Sequence, residues 1–217
     1  MKAAEASDRK SAVTLLPGYD DRGPDESDGP GLAVDGSALL DLPGFWAAHL
    51  DLVGLDLDEE LAELFGDRLA DIRATYDRLT DLRTWPVFPV DLGDRGRLAV
   101  VYRNFDGDLG VDYLSSPGAG RDYQVIASSD GGGSLSWAEI VAAADHQPDP
   151  LSRARALLLL TPMLYDTPPD PAAAIDRLAD ALRTAGVAGD VTAIAGRIVH
   201  RDDEGGQQPA GSAGVDR

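Results

Sequence analysis

The densest set of chemically capable side chains is Arg103-Asn104-Phe105-Asp106-Gly107-Asp108-Leu109-Gly110-Val111-Asp112-Tyr113. Three carboxylates and an arginine fall within ten residues there. Aspartate oxygens at that density suit a hard cation such as Ca²⁺ or Mg²⁺. An EF-hand loop, however, needs further ligands and a closing glutamate at fixed spacing, and this stretch lacks them. The competing reading is a β-hairpin turning at Asp106-Gly107. Asp106 and Asp108 then serve the turn, and Arg103 pairs diagonally with Asp112 across two strands. The hairpin reading is the stronger one, and no metal site is expected.

Other motifs are sparser. Gly131-Gly132-Gly133-Ser134 precedes a helical pattern, as a phosphate-cradling loop would. No lysine follows, the G-x-G-x-x-G spacing is missing, and Asp130 and Glu139 oppose an anion. A flexible connector is the simpler reading. The three histidines, His49, His146 and His200, lie far apart and form no H-x-x-x-H or H-x-x-E-H pattern, so nothing in the spacing predicts zinc. No serine sits in G-x-S-x-G, and with no cysteine there is no thiolate nucleophile, disulfide or cysteine metal site. Paired carboxylates for glycoside chemistry have too many candidates in so acidic a chain to single any out.

The acids themselves are the remaining signal. Asp+Glu number 38 against 19 Lys+Arg, a formal net charge of −19 over 217 residues. Such a surface repels nucleic-acid phosphate and anionic membrane, so neither is an expected partner. The run Asp41–Asp81 holds Asp56, Asp58, Glu59, Glu60, Glu63, Asp67, Asp71 and Asp77 against Arg68, Arg73 and Arg78. Acids in a first helical turn complement the helix dipole, and arginines at helical spacing from acids make a self-paired solvated face. The functional reading is a docking face for a basic protein, whose encounter the field accelerates. The candidate contact residues are Asp58, Glu59, Glu60, Glu63, Asp106, Asp108, Asp112 and Arg103.

The elements that must position these groups follow from periodicity. Residues 1–36 and 201–217 are polar, acidic and rich in Gly and Pro, and read as disordered tails. A single domain is expected over 37–200. A short helix spans Leu42–Leu50, with Asp41 as cap and Pro43 in its first turn. A longer helical region covers 58–82, its stripe Leu61, Leu64, Phe65, Leu69, Ile72, Tyr76 and Leu79 at three-four spacing, with Gly66 as a break. The period then changes to two. Trp85–Val90 reads as an edge strand because of Pro86 and Pro89. Arg97–Phe105 pairs with Leu109–Leu114 so that Val100 meets Tyr113 and Tyr102 meets Val111, and a further strand spans 123–128. Leu98, Val100, Tyr102, Leu109, Val111 and Tyr113 form the core face; Val101, Arg103, Phe105, Asp108, Asp112 and Leu114 form the other. Helices resume at the capping box Ser136–Glu139 and at Asp149-Pro150, Asp170-Pro171 and Asp190, the last running to His200. The expected class is α+β: an antiparallel sheet of three to four strands (about 85–129) packed by N-terminal helices, with a C-terminal helical layer (about 136–200).

Two segments add a family resemblance. Leu42-Pro43-Gly44-Phe45, followed by strands carrying Gly107-Asp108-Leu109-Gly110-Val111-Asp112, resembles the SMI1/KNR4-type, or SUKH, domains over residues 40–145. The helical layer from Asp149 onward is additional to that pattern. The resemblance implies an immunity-type protein that binds and blocks a bacterial toxin. The chain also resembles an actinobacterial protein type with Arg103-Asn104-Phe105 and Leu135-Ser136-Trp137 as landmarks, which implies no function. Missing cysteine and the lack of any apolar run near the roughly 18 residues of a membrane span fit a cytoplasmic protein. The only early apolar run, Ala12–Leu16, is too short for a secretory core. The reading is a non-enzymatic acidic binding protein without a cofactor, meeting a basic protein or toxin. The alternatives are a carboxylate- and histidine-based, metal-dependent enzyme and a structural subunit of an assembly.

Overall fold

The computed structural model describes residues 32–51, 65–80, 84–92, 96–105, 108–116, 124–128 and 135–205. Five strands form one sheet in the order β1-β2-β3-β4-β5. They are β1 (Leu32–Asp35), β2 (Thr84–Asp91), β3 (Arg97–Phe105), β4 (Asp108–Ser116) and β5 (Gln124–Ser128). β1 runs parallel to β2, and the later neighbours are antiparallel. The class is α+β as expected, but the sheet is mixed and has one strand more than the sequence suggests. That strand, β1, lies in what reads as an N-terminal tail. Its four residues gain order by pairing with a strand about 50 positions later, a gain local composition cannot signal.

β2 is also not a simple edge. β1 covers Thr84–Val87 on one side, and β3 pairs with Val87–Asp91 on the other. The prolines fit because of parity. The Gly36 amide donates to the Val87 carbonyl at 2.9 Å, so odd-numbered residues of β2 turn their backbone groups toward β1. Pro89 therefore faces past the end of β1, which stops opposite Val87. Pro86 faces β3, whose ladder starts one residue later. Each absent N–H falls where no ladder bond is needed.

The β3–β4 register places Val100 opposite Tyr113 and Tyr102 opposite Val111, as the Asp106-Gly107 turn predicts. Leu98, Val100, Tyr102, Val111 and Tyr113 face the main core, each at most 1% exposed. The opposite face is buried as well: Trp85, Ala99, Val101 and Leu114 make a second apolar cluster. Asp112, paired in register with Val101, is only 3% exposed.

Six helices pack the main face: α1 (Phe45–Asp51), α2 (Leu69–Leu79), α3 (Trp137–Asp145), α4 (Pro150–Leu160), α5 (Pro171–Thr184) and α6 (Val191–Gly205). A 3₁₀ turn over Ser37–Asp41 precedes α1, so Asp41 ends that turn and does not cap the helix. Gly66, at φ 53°, breaks the chain into a short 3₁₀ turn before α2. Ser136 and Glu139 form the full capping box of α3. Asp149 and Asp170 cap α4 and α5, each followed by proline at the first position. Gly186, at φ 84°, follows α5 in the left-handed conformation. α6 continues past His200 to Gly205, into the segment read as a tail. The expected disorder of the rest of the tails falls on 1–31 and 206–217, outside the described residues.

Leu157–Leu160 of α4 are all at most 3% exposed, each burial contributing roughly 2 kcal/mol. One core joins the sheet and all six of these helices, α3 through Ile140 and Ala144. The α1–α2 junction is tight. A Cβ on Gly44 would lie 2.6 Å from both the Asp71 carbonyl oxygen and the Ile72 Cα, backbone atoms that cannot rotate away. Gly44→Ala is therefore expected to lower unfolding free energy by about 2 kcal/mol, measured by urea denaturation. An unchanged urea midpoint would show that the two helices separate freely.

Candidate functional site

A titratable side chain inside an apolar core is a common mark of a reaction centre. His49 sits fully buried on α1 among Phe45, Trp46 and Tyr102, with ring centroids 6.1, 5.9 and 5.8 Å away. Its Nε2 lies 2.9 Å from the Leu158 carbonyl. A carbonyl only accepts, so Nε2 carries the proton and Nδ1 accepts from the Tyr102 hydroxyl. Desolvation drives the His49 pKa down to about 4, against a smaller raising effect of the Leu158 bond. Burial raises the Tyr102 pKa, helped by Tyr113, and raises that of Tyr113. Tyr113 donates to the Leu159 carbonyl at 2.9 Å.

These contacts share one purpose. The last four carbonyls of a helix have no partner inside it. At the end of α4, His49 donates to the Leu158 carbonyl and Tyr113 to the Leu159 carbonyl, while Leu157 accepts from both the backbone N–H and the Oγ1 of Thr161. The network thus ties α1, β3 and β4 to a buried helix terminus. Its bonds are spent on structure. Reading His49 only as a possible zinc ligand misses this. The available signal was its place in the apolar run Phe45-Trp46-Ala47-Ala48-His49-Leu50.

A cleft of about 200 Å³ opens between the Ser37–Asp41 turn, β2 and α4. Its apolar lining residues are Leu40, Phe88, Pro89, Val90, Ala156 and Leu159. Ser37, Gln147, Ser152 and Arg155 supply its polar groups. Four aspartates join its rim through those residues. Asp35 accepts from the Ser37 amide at 2.9 Å and hydroxyl at 2.6 Å. Asp149 accepts from the Ser152 amide at 2.9 Å and hydroxyl at 2.7 Å. Asp41 pairs with Arg155. The Asp91 carbonyl accepts from Gln147 Nε2 at 2.5 Å, while its carboxylate lies 3.9 Å from His146. The Ser37 bonds hold the Asp35 carboxyl below its usual range, and the Ser152 bonds do the same for Asp149. Both stay ionised at neutral pH. Arg155 Nε is buried without a hydrogen-bond partner among the described residues.

The residues expected at a docking face fare unevenly. Asp58, Glu59, Glu60, Glu63 and Asp106 lie outside the described residues. Arg103 falls on β3 opposite Gly110, and Asp108 on β4 opposite Phe105. Asp112 does not face solvent, because both faces of the sheet are buried and its carboxylate goes in with Val101 and Leu114. It is therefore not a surface contact. Within the described residues 65–80 the charges balance, Asp67, Asp71 and Asp77 against Arg68, Arg73 and Arg78, while the described 41–51 holds Asp41 and Asp51 and no Lys or Arg. Residues 52–64 hold five acids and no base. Arg68 donates to the Pro43 carbonyl at 2.9 Å and bridges α2 to α1. No cluster of three or more metal-ligating side chains occurs among the described residues, and none of their helices is long and apolar enough to cross a membrane. No protein-family model, curated protein or solved structure matches the chain.

Proposed function

We propose that this chain is a non-enzymatic binding protein whose acidic surface occupies a basic protein. The observation that carries the reading is the division of labour among its ionisable groups. Of the buried ones, His49, Tyr102 and Tyr113 are consumed in holding α4, and Asp112 lies inside the second face of the sheet. Asp35, Asp41, Asp91 and Asp149 are exposed around one cleft, in a chain of net charge −19. Exposed carboxylates speed encounter with a cation. The resemblance of Leu42–Phe45 and Gly107–Asp112 to SUKH-type domains supports an immunity-type inhibitor, with a toxin as the basic partner.

Stopped-flow association with a basic protein is the test. The association rate is expected to fall by tenfold or more, order of magnitude, as salt rises from about 50 to about 500 mM, because exposed charges are screened within about 10 Å or less. A rate indifferent to salt overturns the reading.

A further inference from the structure

We draw no further inference here: the strongest candidate, the second apolar face of the sheet made by Trp85, Ala99, Val101 and Leu114, carries nothing because nothing among the described residues shows what covers it.

Discussion

His49→Ala is expected to cost about 4 kcal/mol of unfolding free energy. Two losses combine. The ring fills a site of 0% exposure between α1, β3 and α4, so its removal leaves a cavity beside Phe45 and Trp46. It also strands the Leu158 carbonyl and the Tyr102 hydroxyl, each buried and each costly without a partner. The components can be separated. Tyr102→Phe removes the hydroxyl and should cost about 1–2 kcal/mol. Combined with His49→Ala it should cost less than the sum by about 1 kcal/mol, since one stranded group is then gone. His49→Gln restores a donor for Leu158 and an acceptor for Tyr102, and should recover a good part of the loss. Urea denaturation of the four proteins gives the cycle. A loss of under about 1 kcal/mol for His49→Ala would show that the ring is not the plug of this core.

Much of this architecture is legible in the sequence, and the failures have physical causes. The starts of α3, α4 and α5 read correctly because capping is local: Ser136 and Glu139 are three residues apart, and Asp149-Pro150 and Asp170-Pro171 carry cap and first-turn proline together. The hairpin register reads correctly because a two-residue turn fixes every pair that follows, including Val100 with Tyr113. Contacts distant along the chain are the blind spot. β1 is four residues inside a Gly- and Pro-rich acidic stretch, and only β2 makes it a strand. The prolines of β2 are interpretable only once the lengths of both neighbouring ladders are known. Alternation along β4 places Asp112 and Leu114 on the face opposite the main core but does not signal that this face is a second buried cluster. The rim of the cleft is assembled from positions 35, 41, 91 and 149, a set no spacing rule connects.

Acid is expected to weaken the fold earlier than carboxylate protonation alone would, and His49 sets the window. Its folded pKa, about 4, lies below the unfolded value of about 6.5. Between those values the unfolded chain binds more protons than the folded one, so stability must fall as pH falls. The stabilisation is fully present above about pH 6.5 and lost toward pH 4, amounting to about 3 kcal/mol. The physical cause is the cost of an imidazolium in a site walled by Phe45, Trp46 and Tyr102, where its hydrogen-bond partners are the Tyr102 hydroxyl and the Leu158 carbonyl. A competing effect enters lower down. As carboxylates begin to protonate below about pH 5, the self-repulsion of a −19 chain is relieved, which favours the compact state. Asp35 and Asp149, held low by Ser37 and Ser152, act the other way, and their contribution is lost only as pH falls through those lowered values. The interval from about pH 6.5 to pH 5 therefore isolates the histidine. Unfolding free energies measured there by urea titration should decline with acid in the parent chain and stay level in His49→Gln. Parallel slopes for the two proteins would mean that His49 takes up its proton as easily folded as unfolded, and that the buried Tyr102–His49–Leu158 chain does not hold it neutral.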